Sequence, residues 1–241
     1  AAEGRRVLLL KRDEPSAWLR DAGGRMVAFP LSILKHESVL SQVIEPHLYP
    51  EISAVRGEVL NWRFYHHFRT DSESPMRQPQ IGVQTPVLDH DGSNLAPALQ
   101  TILEIGDEEA LNDVIARAFG GARLLIEAVD TMFSLKLQMP GLLRPLGARE
   151  FSDGQVRVLC LCAALLSPRP PSLLALNEPE TSLHPDLIGP LAALIVRASR
   201  DTQLWITTHS RALAERIEEH SGLPRIALSM VQGETTVASK M

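Results

Sequence analysis

Long apolar runs are missing from this 241-residue chain. The longest, residues 158–166, is well short of the roughly 18–20 apolar residues that a membrane-spanning helix needs. An earlier apolar stretch, residues 7–10, is also too short to be the apolar core of a signal peptide. The sequence therefore predicts neither a membrane span nor a secretion signal, and we expect a cytoplasmic protein.

Cysteine is almost absent, with only Cys160 and Cys162 in the chain. Because the two residues are two positions apart on a predicted helix, their thiols would point in different directions, which disfavours a disulfide. A structural zinc site would need further Cys or His ligands at characteristic spacings, and none accompany this pair. We therefore expect both cysteines to be buried and reduced.

Lysine is also rare: four of the 24 basic residues are Lys and the other twenty are Arg. The formal net charge is -5, so the composition shows no excess of basic residues of the kind that nucleic-acid-binding proteins usually display. A basic patch on one part of the surface is still compatible with this composition, because net charge does not report where the charges lie. With 44% apolar residues, a chain of this length can form one large domain or two small ones.

The first half of the chain indicates two short strands followed by helices. Residues 7–10 and 26–29 are apolar and flank a Gly-Gly turn, which predicts a pair of strands. From residue 37 to about residue 121, apolar residues recur mainly at helical spacing. A polar, proline-containing segment at residues 70–87 predicts a mobile loop between the helices. Asn94 closes a turn that we expect to cap the next helix.

The second half alternates between strands and helices. After a predicted hairpin, the pattern predicts strands at residues 172–176 and 203–208, helices at 156–166, 185–200 and 210–219, and a final antiparallel pair at 225–230 and 235–237. Continuous apolar strands separated by helices predict an α/β fold with a parallel sheet that is covered on both faces. Ligands of such sheets bind beyond the carboxyl ends of the strands.

Three polar clusters lie at the positions where such a fold binds ligands. The first, Asn177-Glu178-Pro179-Glu180, ends an apolar strand, where a polar side chain can help to hold Mg²⁺ and a carboxylate can orient a water molecule. A buried strand followed by an unrelated acidic loop is the alternative interpretation.

The second cluster, FSDGQ at residues 151–155, precedes a strongly apolar helix. Ser152 suits the N-cap, and the exposed N–H groups of a helix start attract anions. An ordinary capped helix explains the same residues.

The third cluster, TTHS at residues 207–210, ends the next strand. A single helix connects the two strands, which favours their pairing and would bring His209 beside Glu178. A purely structural histidine is the alternative, with Ser210 simply capping the following helix.

Taken together and in order, these clusters resemble motifs of the ABC ATPase superfamily. FSDGQ resembles the ABC signature, LLALNEPE the Walker B strand with its glutamate, TSLHP the D-loop, and TTHS the switch-histidine loop. The form NEPETSLHP is similar to the soluble RecF- and SMC-like branch, often described as AAA-family ATPases. DGSNLA at residues 91–96 resembles that branch more weakly.

The resemblance implies a P-loop NTPase-like parallel sheet flanked by helices, with a helical insertion. Residues 122–241 would form the C-terminal ATPase lobe, residues 37–121 a helical lid, and residues 1–36 strands that remain from the N-terminal lobe. It also implies ATP and Mg²⁺ as cofactors, a head-to-tail homodimer around ATP, and DNA or a partner protein as further ligands.

The resemblance gives individual residues the following roles. Glu178 would be the general base, and His209 would contact the γ-phosphate and sense its loss. The residues that would contact ATP held by the second subunit are Ser152, Gly154 and Gln155, and those at the dimer interface are Ser182 and His184.

The sequence departs from this family pattern in two places. A phosphate-binding loop needs a lysine after a glycine, and none of the four lysines follows one. We therefore expect the lobe with that loop to lie outside this chain; a degenerate protein that never had the loop is the alternative. Asn177 stands where the family has an aspartate that holds Mg²⁺, which predicts weaker magnesium dependence or slow turnover.

Other polar groups suggest weaker hypotheses. His66 and His67 could bind a metal, but adjacent residues of a strand point to opposite faces, so packing is favoured. Arg63, Arg69 and Arg77 could contact nucleic acid, although solvated arginines on a helical lid are the simpler interpretation.

The sequence thus predicts an ATP hydrolase that is active only as part of a larger protein, and this chain alone should bind ATP poorly. The alternative is a non-hydrolysing regulatory or partner-binding module with the same shape. Repair, defence and toxin–antitoxin roles are all compatible with the motifs.

Overall fold

The computed structural model describes residues 6–237 and divides the chain into two units, residues 1–62 and 63–241. Our sequence-based boundaries at residues 36 and 121 stay predictions. Among the described residues, no helix is both long enough and apolar enough to cross a bilayer.

The first unit combines an antiparallel sheet with two helices. Its elements are β1 (Leu10–Asp13), β2 (Ser16–Arg20), β3 (Met26–Ala28), α1 (Val39–Gln42) and α2 (Pro50–Asn61), and the strands pair in the order β1-β2-β3. Alternate residues of β2, Ala17 and Leu19, enter a small core with Ile33 and Val43. The strand predicted at residues 7–10 is wrong in position, since β1 begins at Leu10 and β2 follows it directly.

The second unit carries the three polar clusters. Its elements in chain order are β4 (Arg63–Tyr65), β5 (Gln80–Ile81), α3 (Leu95–Ile105), α4 (Glu108–Ala118), β6 (Arg123–Val129), β7 (Met132–Gln138), β8 (Leu146–Gly147), α5 (Asp153–Leu165), β9 (Leu173–Asn177), α6 (Ile188–Ala198), β10 (Gln203–Thr207), α7 (Arg211–Ser221), β11 (Leu228–Val231) and β12 (Glu234–Val237). Single 3-10 turns at Pro75–Arg77, Ala148–Glu150 and Pro185–Leu187 precede β5, α5 and α6.

The strands of this unit form three separate sheets. β10, β9 and β4 pair in parallel in that order, β5, β7 and β6 form an antiparallel sheet with β8 beside β7, and β11 pairs with β12. The predicted α/β fold and the predicted antiparallel pairs at both ends of this half are confirmed.

Helix α5 forms the centre of the core. From Val156 onward its residues are apolar except for Arg157, and residues 156–165 are all buried. A helix without a polar face is stable only inside a protein, and helices α3 and α4 pack against this one. Cys160 and Cys162 are free and completely buried, as expected. Burial raises the pKa of the Cys162 thiol to about 12.

One face of the parallel sheet is exposed, which contradicts the predicted double cover. Leu174 and Leu176 of β9 point into the core. On the opposite face, Trp205 of β10 is 65% exposed, and Gln203 and Thr207 on the same face are exposed as well. Among residues 6–237 the helices therefore cover only one side of the sheet at β10.

The segment predicted as a mobile polar loop is partly buried. Ser74, Met76 and Gln80 have almost no exposed surface, and the Gln80 amide binds the carbonyl oxygens of Pro75 and Gly92. The loop is confirmed, but its burial was not expected, because periodicity does not reveal that polar side chains such as Gln80 bind backbone groups here.

Asn94 does not cap α3 with its side chain. Its side-chain oxygen instead accepts from the N–H of Asp89, and its side-chain nitrogen donates to the carbonyl of Val87. The residue therefore orders the loop before the helix.

Candidate active site

Glu178 and His209 lie side by side at the carboxyl ends of two neighbouring strands. β9 and β10 are in parallel register, with Asn177 opposite Thr207, and the Glu178 N–H continues the pairing by donating to the Thr207 carbonyl at 2.8 Å. One carboxylate oxygen of Glu178 lies 3.3 Å from Nε2 of His209. The histidine side chain is 92% exposed, so this pair faces solvent and is accessible to a ligand.

The backbone of Glu178 adopts a left-handed conformation, with φ of 44°. Such a conformation is uncommon for a residue with a Cβ and therefore needs support from its surroundings. The Glu178 carbonyl accepts hydrogen bonds from the Thr181 N–H at 3.1 Å and from the guanidinium of Arg157 at 2.8 Å. These contacts turn the chain sharply after β9 and direct the carboxylate towards His209.

Arg157 was not predicted as a site residue. It is buried in α5, and its guanidinium also reaches the Pro179 carbonyl at 3.4 Å. Burial lowers the pKa of this guanidinium. The sequence does contain a signal for this role, since Arg157 is a charged residue between apolar residues of a predicted core helix. A buried arginine needs hydrogen-bond acceptors that lie nearby.

Asn177 lies at the end of β9 and contacts the neighbouring strand. Its side-chain oxygen accepts a hydrogen bond from the Thr207 hydroxyl at 2.6 Å. The residue is thus at the edge of the sheet where the resemblance requires a metal-binding side chain. Within residues 6–237, no cluster of three or more His, Cys, Asp or Glu side chains could hold a metal ion by itself.

Glu180 connects the loop after β9 to the loop that carries the histidine. Its Oε1 accepts from the Thr208 hydroxyl at 2.5 Å and from the Ser210 N–H at 3.2 Å. These two partners are the residues on either side of His209. Sequence reasoning missed this role because the contact depends on strand pairing.

The start of α5 forms the second part of the site. Ser152 is its N-cap, as predicted, and its hydroxyl accepts from the Gln155 N–H while the Gln155 side chain accepts from the Ser152 N–H. A Cβ placed on Gly154 would lie 3.0 Å from the carbonyl oxygen of Ser182, so a larger residue would crowd that loop. The structure therefore brings Gly154 and Ser182 together.

Ser182 and His184 lie on the exposed loop between β9 and α6. Ser182 has a left-handed backbone, with φ of 64°. The His184 ring accepts from the N–H of Asp186 at 3.3 Å and so caps the following 3-10 turn. Both side chains are placed on the surface, where a second molecule could contact them.

The remaining candidates from the sequence have other roles. His66 and His67 are both exposed, so the expectation that they pack in the core is wrong. Arg69 pairs with Asp71 at the surface. Arg77 is buried rather than solvated, because six hydrogen bonds satisfy its guanidinium in the interior.

Comparison with known proteins identifies the family. Residues 24–215 match the family described as "AAA domain, putative AbiEii toxin, Type IV TA system". Over 117 residues the chain is 26% identical to the phosphate import ATP-binding protein PstB of Malacoplasma penetrans, a match that covers 48% of this chain and 36% of PstB. The chain thus spans about a third of the length of this curated relative.

One solved structure supports the fold assignment. The SMC head bound to the C-terminal winged-helix domain of ScpA superposes with a TM-score of 0.51 at 13% identity, covering 92% of this chain and 67% of that one. The SMC head of Thermotoga maritima gives a TM-score of 0.43 at 13% identity, with 96% and 72% covered. The chain therefore belongs to this AAA family, and its fold is that of a P-loop ATPase of the ABC and SMC type.

Proposed function

We propose that the chain provides part of an ATP-hydrolysing site in which Glu178 is the general base. The observation that carries this proposal is the pairing of Glu178 with His209 at 3.3 Å, at the carboxyl ends of two adjacent parallel strands. In open α/β sheets this is where ligands bind. Membership of an ATPase family supports ATP as the ligand.

Glu178 has the geometry that a general base needs. Its carboxylate is partly exposed, and among residues 6–237 only the Thr181 hydroxyl at 3.4 Å and His209 contact its oxygens by hydrogen-bond or ion-pair geometry. One carboxylate oxygen can therefore accept a proton from a water molecule while its backbone stays fixed by Arg157. His209 lies at the same carboxyl-terminal edge of the sheet and can donate a hydrogen bond to a phosphate oxygen there.

Ser152, Gly154 and Gln155 are proposed to contact the γ-phosphate of ATP bound to a second copy. The support is the geometry of a capped helix start, whose N–H groups and dipole favour an anion. Ser182 and His184 would then contact that second copy, since the loop that carries them is exposed and touches Gly154 through Ser182. A head-to-tail homodimer satisfies both requirements.

The phosphate-binding loop is proposed to lie on a segment outside these 241 residues. No lysine of the chain follows a glycine, as such a loop requires. Two features support an additional segment: the large exposed surface of Trp205, and the outer edge of β10, to which no strand among residues 6–237 is paired. Exposed apolar surface and open strand edges are normally covered in a complete protein.

The residues present fit Mg²⁺ only in part. Glu178 supplies a carboxylate and Asn177 an amide oxygen, whereas Mg²⁺ usually binds one or two carboxylates together with phosphate oxygens. The Asn177 oxygen already accepts the Thr207 hydroxyl and has no charge. We infer that Asn177 contacts the metal through water, which would give slow turnover.

The test compares ATP hydrolysis by a longer protein that contains this chain and a phosphate-binding loop with that of its Glu178→Gln variant. Loss of a general base should lower kcat by roughly 10²–10⁴-fold while ATP is still bound. Glu215→Gln, on the exposed face of α7, serves as a matched control and should be fully active. Equal rates for wild type and Glu178→Gln would refute the assignment.

The uncharged amide of Asn177 favours one alternative function, which is a module that binds ATP or a partner protein without hydrolysing ATP. In that case wild type and Glu178→Gln would bind ATP equally and neither would turn it over. The chain of 241 residues by itself should bind ATP poorly in either case, and micromolar binding in isothermal titration would contradict the need for a further segment.

A further inference from the structure

Arg77 lies inside the second unit, although its charge would ordinarily keep it at the surface. Its side chain is 5% exposed, and all of its guanidinium nitrogens donate hydrogen bonds. Their acceptors are the carbonyl oxygens of Thr70 (2.8 and 2.9 Å), Asp71 (3.1 Å), Ala148 (3.1 Å) and Phe151 (2.5 Å), and the carboxylate of Asp153 (2.8 Å).

These acceptors belong to two segments that are far apart in sequence. Thr70 and Asp71 belong to the polar segment that precedes the 3-10 turn at Pro75–Arg77. The other three acceptors lie on both sides of Ser152, immediately before and within the first turn of α5. Gln78, the neighbour of Arg77, extends the connection by accepting from Arg149 at 2.6 Å.

The charge of Arg77 has a second consequence at the start of α5. Asp153 is 61% exposed and sits in the first helical turn, where a carboxylate interacts favourably with the helix dipole. The same carboxylate would repel a phosphate that approaches the N–H groups of this turn. Arg77 places a fixed positive charge 2.8 Å from it, and because the arginine is buried, solvent screens the pair less than a surface pair.

We propose that Arg77 is a positioning residue for the phosphate-contacting end of α5. It holds residues 148–153 in place through their backbone carbonyls and offsets the charge of Asp153, so that Ser152, Gly154 and Gln155 can receive a phosphate. The second part of this proposal rests on the proposed function, whereas the first part concerns the chain alone.

The first measurement is hydrogen–deuterium exchange on the 241-residue chain. Arg77→Gln should accelerate exchange of the amides of residues 148–156 by roughly tenfold or more, because the opening of this segment becomes easier. Arg77→Lys retains the charge but not the planar fork, so its effect should be smaller. Arg69→Gln is the matched control, since Arg69 pairs with Asp71 in the same segment but is exposed, and it should leave this exchange unchanged.

The second measurement is the ATP dependence of hydrolysis by the longer protein. Arg77→Gln should raise KM by about tenfold, and Asp153→Asn combined with it should recover most of that loss, since the uncompensated charge is then gone. A double variant with a KM as high as that of Arg77→Gln would overturn the electrostatic role.

The two measurements distinguish a failure of the positioning role from a failure of the proposed function. Unchanged exchange at residues 148–156 in Arg77→Gln overturns the positioning role whatever the hydrolysis data show. If exchange responds as expected but the wild-type longer protein does not hydrolyse ATP, the positioning role stands and the proposed function fails.

Discussion

The replacement of Glu180 by alanine tests whether the loop of His209 is held in place by the loop after β9. Oε1 of Glu180 accepts two hydrogen bonds, from the Thr208 hydroxyl at 2.5 Å and from the Ser210 N–H at 3.2 Å. Oε2 is buried and has no hydrogen-bond partner. Glu180→Ala removes all of these features at once and leaves the neighbouring His209 without its support.

The expected cost follows from these contacts. Each hydrogen bond to a charged group contributes about 1.5–3 kcal/mol to stability. The Ser210 N–H keeps a second acceptor, the Thr208 hydroxyl at 2.9 Å, so the loss of its bond to Glu180 costs less. Removal of the unpaired Oε2 returns part of the desolvation penalty, which is about 1–3 kcal/mol for a buried polar atom. We therefore expect Glu180→Ala to lower the free energy of unfolding by about 2 kcal/mol.

Urea unfolding measures this change. In a variant that keeps Trp205 as its only tryptophan, fluorescence reports on β10 directly, because Trp205 lies on that strand. Glu180→Gln retains the acceptor oxygen and should lose less stability than Glu180→Ala. Glu215→Ala is the control, since Glu215 forms a solvent-exposed ion pair with Arg211 that should contribute little to stability. If Glu180→Ala unfolds at the same urea concentration as the control, the connection is not energetically significant.

Two further predictions concern the active site of the longer protein. Asn177→Asp should raise Mg²⁺-dependent hydrolysis and metal affinity, because a carboxylate binds Mg²⁺ more strongly than an amide oxygen does; an unchanged rate across a magnesium titration would contradict this. Gly154→Ala should lower hydrolysis with little loss of stability. The added methyl carbon would lie 3.0 Å from the Ser182 carbonyl oxygen and displace it, while alanine favours the helix. Full activity of a folded Gly154→Ala variant would show that the two loops move independently.

Local sequence signals were sufficient for most of the secondary structure in the second unit. Ser152 predicts the start of α5 because an N-cap side chain accepts from an N–H within the first helical turn. Likewise, the single helix between β9 and β10 predicts their pairing and the proximity of Glu178 to His209. These features depend on residues that are close together along the chain or joined by one short connection.

The burial of Arg77 could not be predicted in this way. Arg77 binds Ala148, Phe151 and Asp153, which follow it by 71 to 76 positions in the sequence. Neither periodicity nor composition reports which carbonyl oxygens will surround a side chain, so a charged residue in a polar segment is taken to be solvated. The exposed face at Trp205 was missed for a similar reason, because an apolar strand predicts burial without showing what covers it.

The sequence alone determined the order of strands and helices after residue 152, the family resemblance and the residues of the strand ends, since each follows from short motifs with local geometry. Only the tertiary structure decided how those residues are held. It assigned Arg157 to the turn at Glu178, Glu180 to the loop of His209 and Arg77 to the start of α5. Arg77 and Arg157 are buried and Glu180 is half-buried, so these side chains must find partners in space where little water is available to solvate them.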